Sequence, residues 1–447
     1  MIQALKNVID SNLCTGCGTC VGICPNEILA MQITKRGIEV PRAVKDNCKD
    51  CNLCTSVCPV INENHRQLNQ FVFNKASYDR FIGTFCNCYT GYSTNARIRW
   101  EATSGGLITS LLIFLLETKQ IDKALLIRTS QEDPLKGESF IAQTRTDIMS
   151  AMGTKYVPVS LNKLIRKILA EEGKFAIVGL PCHIQAIRRA ELKVSALRDK
   201  ISYHLGLTCS HTMNYHGIGY VLGKMGIPRD SIMKLDYRGR GWPSGIRVLL
   251  RDGRERFVPN QNSLWSEIFG GYFFTPYCCT MCFDHLNEFS DISFADAWLP
   301  EILKNDTKGT SIAITRTKLG EDLIKSSVSE GRIEISELDR DSVVRAQLWP
   351  LFFKKRNIRA RSRLLETFGK MVPEDLRENR TFFLSPTLYD YIIAPVPYIS
   401  TFISGNKFLM WIFKRVPLRI LSSYRALFKR LLLANSEKAI GEKEDGR

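Results

Sequence analysis

Between residues 81 and 345, short apolar runs alternate with stretches whose apolar positions recur every three or four residues. Ala124 to Arg128, Phe175 to Val178, Ser202 to Leu207 and Ser311 to Thr315 have the length of buried strands, and Leu107 to Glu117 and Leu161 to Glu172 the spacing of helices. Strands separated by helices predict an α/β domain, with a mixed or parallel sheet and helices on its faces. Ahead of it, residues 1–62 form a compact module. The middle of that module, Ile28 to Val44, alternates weakly around Arg36-Gly37, as a short hairpin would. Residues 63–80 are polar and without clear periodicity, the character of a linker. Residues 346–447 form a tail of different composition: from Tyr391 to Ser436 there is no Asp or Glu.

A chain of 447 residues with 44% hydrophobic content can bury a large core and suggests two or three domains. The longest apolar run, Leu107 to Leu116, is too short to span a membrane. The opening Met1-Ile-Gln-Ala-Leu-Lys lacks the features of a secretory signal. The expected location is therefore the cytoplasm, where the 15 cysteines stay reduced and serve metal.

Eight of those cysteines make two copies of one pattern: Cys14-x-x-Cys17-x-x-Cys20-x-x-x-Cys24-Pro25 and Cys48-x-x-Cys51-x-x-Cys54-x-x-x-Cys58-Pro59. Three cysteines at this spacing wrap one 4Fe-4S cubane, and the fourth, before proline, ligates the other. One cluster takes Cys14, Cys17, Cys20 and Cys58; the second takes Cys48, Cys51, Cys54 and Cys24. Zinc sites use two separated pairs instead of such triples. The expectation is an α+β ferredoxin-like module for electron transfer.

The later cysteines sit at segment ends. Cys182 follows the strand Phe175-Ala-Ile-Val and precedes a helix from about Ile184, Cys209 follows Gly206-Leu207, and Cys279-x-x-Cys282 adds a third element. These four could meet around one further cluster or could be buried small apolar residues. Cys278 would be a neighbour, and Cys86 and Cys88 suit packing better than ligation.

Several stretches between about 82 and 330 are specific. They are Thr103-Ser-Gly-Gly-Leu-Ile-Thr, Met152-Gly-Thr-Lys-Tyr156, Val178-Gly-Leu-Pro-Cys-His-Ile-Gln185, Cys279-x-x-Cys282-x-Asp284, Asp291-Ile-Ser-Phe-Ala-Asp-Ala-Trp298, Gly309-Thr-Ser311 and Arg316-Thr317. Through them the chain resembles the coenzyme F-420 hydrogenase/dehydrogenase beta-subunit family, with a ferredoxin module fused in front. Residues 81–160 and 161–345 would be the N- and C-terminal parts of the family region. The resemblance implies FAD in the α/β domain and a 4Fe-4S cluster on Cys182, Cys209, Cys279 and Cys282 passing electrons to it. It also implies a reductase or dehydrogenase acting on a deazaflavin or another organic acceptor. The chain departs from the family pattern at His183, where glutamine is usual, and at Ala295, where the family has glycine before Asp296.

The residues support a flavin site independently. Ser104-Gly105-Gly106 precedes a helix and has backbone donors for a pyrophosphate, while Lys155 and Tyr156 add a cation and a ring. A plain helix cap is the competing reading. No catalytic residue is assigned, and Gly217-Ile-Gly219 lacks the third glycine of a nicotinamide fingerprint. Asp236, Arg238 and Arg240 suit a turn better than an anion site. His183 is expected to support its neighbour Cys182.

Two readings of the whole remain: a flavin-dependent oxidoreductase, or a non-catalytic electron-transfer subunit. Either implies a redox partner protein, namely ferredoxin or a hydrogenase or dehydrogenase subunit. The tail, with Lys407, Lys414, Arg415, Arg419, Arg425, Lys429 and Arg430, has Leu421, Tyr424, Phe428 and Leu431 at helical spacing. It is either a peripheral anchor on an anionic membrane surface, accompanied by Trp411 and Phe413, or a helix docked on the body with a solvated basic side. An anchor would suit a membrane-surface reductase of an envelope precursor. No nucleic-acid recognition motif accompanies the charge.

Overall fold

The structure is a computed structural model, and it describes residues 2–48, 51–61, 64–74, 78–374, 376 and 383–441. Thirteen strands are formed among these residues. In chain order they are β1 (Leu29–Ile33), β2 (Glu39–Ala43), β3 (Asn87–Ser93), β4 (Lys123–Thr129), β5 (Gly137–Ala142), β6 (Phe175–Gly179) and β7 (Ile201–Leu207). They continue as β8 (Ile232–Asp236), β9 (Gly245–Leu250), β10 (Glu255–Pro259), β11 (Ile292–Asp296), β12 (Ser311–Thr315) and β13 (Ile333–Glu337).

Eight of these make one mixed sheet in the order β13-β3-β12-β11-β7-β6-β4-β5. Its centre is parallel: β4 with β6, β6 with β7, and β7 with β11. The edges are antiparallel. The parallel strands read as near-continuous apolar runs because both of their faces are covered. Ala176, Ile177 and Leu205 are wholly buried. On one face lies the helix Leu107–Glu117, which buries residues on every side and so packs as a core helix instead of an amphipathic one. The α/β expectation therefore holds, and its two halves share a single sheet. β8, β9 and β10 form a separate antiparallel sheet.

In the N-terminal module, β1 and β2 pair antiparallel as the expected hairpin, with the helices Gln3–Asp10, Thr19–Ile23 and Leu53–Ser56 around it. The module is bonded to the α/β domain. Ser160 Oγ donates to Gly16 O at 2.7 Å, Asn162 N to Cys17 O at 3.0 Å, and Asn162 Nδ2 to Thr19 Oγ1 at 2.8 Å.

Three expectations change. The stretch 63–80, expected as a linker, contains the helix His65–Phe73, capped by Asn64 and burying His65, Leu68 and Asn69; residues 63 and 75–77 lie outside the described residues. Its polar composition hid one buried stripe. The helix expected over Leu161 to Glu172 is a 3-10 turn, Leu161–Leu164, followed by a short α-helix, Ile165–Ala170. The tail is no appendage. Leu351, Phe352 and Phe353 are core residues, and Lys354, Lys355, Arg356 and Arg361 are buried beside them. The helix Leu418–Leu432 buries Leu421 and Phe428 against the body, so the apolar positions expected to face a membrane face the protein. Cys88 is packed as expected, whereas Cys86 is exposed.

Candidate functional site

The thiols of the N-terminal module lie close enough to perturb one another. Burial first, then Cys17 and Cys58, push the Cys14 thiol up to about 12. Burial with the charges of Cys17, Cys14, Cys58 and Cys54 raises Cys20 well above its ordinary value. Burial and the charges of Cys24, Cys51 and Cys48 push Cys54 up to about 11. Those four also wall one small cavity with Pro25. Cys20 feels both groups, Cys14, Cys17 and Cys58 from one and Cys54 from the other. Cys51 is exposed at the outer end of the series.

A third group lies where the parallel strands end. The helix Pro181–Lys193 starts three residues earlier than expected, with proline in its first turn and Cys182 beside it. Burial, then Cys17, Cys209, Cys282 and Cys279, raise the Cys182 thiol well above its ordinary value. Burial likewise pushes Cys209 up to about 12, against the opposing charge of Lys354. A hydrogen bond with Cys278 draws Cys279 down to about 7. Cys182 thus feels the charge of Cys17 in the first group as well as those of Cys209, Cys282 and Cys279 in the third.

Lys354, from the supposed tail, completes this third group. Its Nζ donates to Cys282 Sγ at 3.2 Å and to Asp284 O at 2.8 Å. Burial alone would lower its pKa, but the charges of Cys282, Cys209 and Cys279 outweigh that and hold it cationic. Four half-buried thiols beside a fixed cation match the soft sulfur donors of an iron–sulfur cluster and its negative charge. Among the described residues no three Cys, His, Asp or Glu side chains converge enough to share a single ion. Cubane ligation does not require that, since each thiolate binds a different iron.

Next to Cys209 opens a cavity of about 730 Å³, within the range of cofactor sites. It lies at the carboxyl ends of the parallel strands, where open α/β sheets bind ligands. Leu180 follows β6 on its wall, Leu207 and Thr208 close β7, and Asp296 ends β11. The start of the helix Leu107–Glu117 forms another wall through Gly106, Leu107 and Ile108, and a helix start favours anions. Tyr156 stands in an aromatic group with Tyr237, Trp265 and Phe269, at ring separations of 5.6, 5.3 and 5.1 Å.

Two of the expected flavin contacts are otherwise engaged. Gly105 N donates to Ser311 Oγ at 2.9 Å, and an added Cβ would stand 2.8 Å from Ser311 N and nearer still to Gly91 O. Gly105 therefore serves close packing, while Ser104 and Gly106 reach the cavity. Lys155 Nζ donates to the carbonyls of Ala151, Met152 and Gly153 at 2.6, 3.0 and 3.0 Å. Burial lowers it to about 7, so it closes a helix end at the cavity wall.

Arg238 also stands on the cavity wall. It is buried there, Nη1 donates to Asp296 Oδ2 at 2.5 Å, and its Nε makes no hydrogen bond. Trp349 Nε1 on the same wall is equally without a partner. Buried donors left unpaired are costly unless a ligand accepts from them, and these fit the phosphates and carbonyls of a dinucleotide. The turn expected around Arg238 is there, yet it aims the side chain inward, while Asp236 pairs with Lys234 and Arg240 with Glu255 outside. His183 is structural: Nε2 meets Val159 O at 3.1 Å, and burial lowers its pKa to about 4. Gly217 and Gly219 lie inside the helix Tyr215–Lys224.

A 4Fe-4S dicluster domain model matches residues 13–62. The models for the N-terminal part and the C terminus of coenzyme F420 hydrogenase/dehydrogenase beta subunits match residues 88–166 and 172–341. The chain is 26% identical over 352 residues to the coenzyme F420-dependent sulfite reductase of Methanocaldococcus jannaschii, covering 75% of this chain and 49% of that protein. It thus spans about half the length of that relative. It is 25% identical over 268 residues to the coenzyme F420 hydrogenase subunit beta of Methanosarcina barkeri, covering 58% of this chain and 85% of the subunit. A chain of the F420-reducing [NiFe] hydrogenase complex from Methanosarcina barkeri shares the fold, with a TM-score of 0.52 at 21% identity over 66% of this chain and 98% of that one.

Proposed function

We propose that this chain, which belongs to the coenzyme F420 hydrogenase/dehydrogenase beta-subunit family and carries a 4Fe-4S dicluster domain ahead of it, is a flavin-dependent oxidoreductase. It takes single electrons at the N-terminal module and delivers them as a pair to a deazaflavin of the coenzyme F420 type or a related organic acceptor. The observation that carries the reading is the position of Cys209, which belongs to a thiol group reaching Cys17 through Cys182 and is also a wall residue of the cavity.

In this reading Cys14, Cys17, Cys20 and Cys58 hold one cluster, Cys48, Cys51, Cys54 and Cys24 a second, and Cys182, Cys209, Cys279 and Cys282 a third. Ser104, Gly106, Tyr156 and Arg238 line the FAD site, with Lys155 and Gly105 shaping it. When bound, the clusters carry single electrons and the flavin couples them to two-electron hydride chemistry. The protein's own part is positional. Asp296 fixes the Arg238 guanidinium toward an anionic group, the start of the helix Leu107–Glu117 adds donors, and the aromatic wall around Tyr156 keeps water out. Lys354 sets a positive charge against Cys282. A redox protein would approach the exposed Cys51 end, in a reducing compartment such as the cytoplasm.

The relatives named as hydrogenase subunits favour a second reading, a carrier that hands electrons to a partner without a flavin of its own. Anaerobic purification with iron, sulfide and flavin quantitation separates the two. About twelve irons are expected for three cubanes, with one FAD. Cys209→Ser should remove about four irons. Iron without flavin selects the carrier, and wild-type protein with about eight irons removes the third cluster.

A further inference from the structure

We infer that the helices Val396–Gly405, Lys407–Phe413 and Leu418–Leu432 present a face that docks on an anionic lipid bilayer. The inference is independent of the cofactors proposed above.

These helices are anchored to the body by their inner sides. Ser404 Oγ accepts from Phe274 N at 2.8 Å, Arg425 pairs with Glu267 at 2.8 Å, and Phe413, Leu421 and Phe428 are buried. So held, they cannot turn their outer apolar side chains inward. Those side chains are large and open to solvent: Phe402 is 65% exposed, Phe408 68%, Trp411 57%, Ile420 58% and Leu427 58%. Isolated exposed apolar residues need no explanation, but this many on three consecutive helices mark an interaction surface.

The charge identifies the partner. Lys407, Lys414, Arg415 and Arg419 are interleaved with these residues, and no acidic residue occurs from Tyr391 to Ser436. Arg415 lies 3.7 Å over the Trp411 ring, and the Phe408 and Trp411 rings lie nearly parallel, 16° apart. Protein interfaces are depleted of lysine at their centres and pair charges of both signs. Aromatic and aliphatic side chains ringed by lysine and arginine alone are the composition that lies in the headgroup region of anionic membranes. Among the described residues no helix is long and apolar enough to cross a membrane, so the contact is peripheral.

The orientation bears on the cavity. Ile420 and Leu427, seven residues apart, share one side of the helix Leu418–Leu432, and Arg425 and Lys429 on the opposite side line the cavity. A single helix therefore separates the docking face from the candidate flavin site.

The test is co-sedimentation of the full anaerobically purified chain with vesicles of phosphatidylglycerol and phosphatidylcholine, against phosphatidylcholine alone. Binding to the anionic vesicles only is expected, weakened by high salt. The double variant Phe408→Ser/Trp411→Ser should reduce the partition at least about tenfold, and Lys407→Gln/Lys414→Gln/Arg419→Gln about a hundredfold. All these side chains are solvent-exposed or flank exposed ones, so melting temperature and iron content should match the wild type. Folded wild type that ignores anionic vesicles overturns the inference. So do variants that bind as well as wild type, and a light-scattering mass that falls from dimer to monomer in the Phe408→Ser/Trp411→Ser variant, which would assign the face to a second copy.

Discussion

Replacing Lys354 with methionine should make the third cluster harder to reduce. The side chain keeps its length and loses its charge, which stands 3.2 Å from Cys282 Sγ in a buried site. The electron added on reduction spreads over the cluster, so the relevant separation is about 5 Å, and at an effective dielectric constant of about 20 Coulomb's law gives about 3.3 kcal/mol. At 2.3 kcal/mol per 100 mV that is about 140 mV. The sign is fixed: a cation favours the more negative, reduced state, so its removal lowers the potential. Lys354→Arg keeps the charge and should move the potential far less. The assay is a redox titration followed by electron paramagnetic resonance on protein whose iron content matches the wild type. A shift below about 30 mV, or one toward positive values, would refute the electrostatic argument. Lys354 falls beyond the matched C-terminal segment, which ends at residue 341.

Gly105→Ala forces a Cβ against Ser311 N and Gly91 O. Overpacking of this kind should cost about 1–3 kcal/mol, read as a lower melting temperature together with lost flavin. Arg238→Gln should weaken flavin retention on gel filtration while leaving iron content unchanged; full flavin occupancy would show that Arg238 serves only its pair with Asp296. In the buried group of His204, Glu191, Arg188 and Asp291, burial alone would raise the Asp291 carboxyl, but Arg188 and His204 hold it well below the usual range. A carboxyl depressed on folding contributes stability above its unfolded pKa of about 3.9 and loses it as pH falls toward the folded value. Melting curves of the wild type should therefore steepen downward below about pH 4, and Asp291→Asn should flatten that limb while lowering stability at neutral pH.

The sequence carried the dicluster module almost completely, because a run of cysteines at fixed intervals is a local constraint that needs no tertiary partner to be legible. The strands at Phe175 and Ser311 and the helix at Leu107 were legible for a related reason: unbroken apolar runs can only be buried. Lys354 was not. In Phe353-Lys-Lys-Arg-Asn357 three consecutive cations look like a solvated charge run, and only the burial of that helical segment turns each toward a separate acceptor: Cys282 for Lys354, Glu288 for Lys355, Asp390 for Arg356. Arg238 was hidden similarly, since a glycine-flanked arginine in a turn gives no sign of which way it points. At Gly105 the structure gives the glycine a packing reason: it is small so that the loop before the helix Leu107–Glu117 can lie against β3 at Gly91 and the start of β12 at Ser311, and its N–H is already used.

The bonds between the N-terminal module and the α/β domain have a consequence for kinetics. Gly22 packs so closely on Asn162 and Ile165 that any side chain there would collide with them, and Ser160 and Asn162 reach into the loop around Cys17. A carrier tethered by a free hinge swings between its donor and acceptor, and its throughput falls as the medium thickens. This carrier is clamped in place, so its internal hops should proceed at the same rate in glycerol as in buffer, and viscosity should slow only the encounter with the external donor.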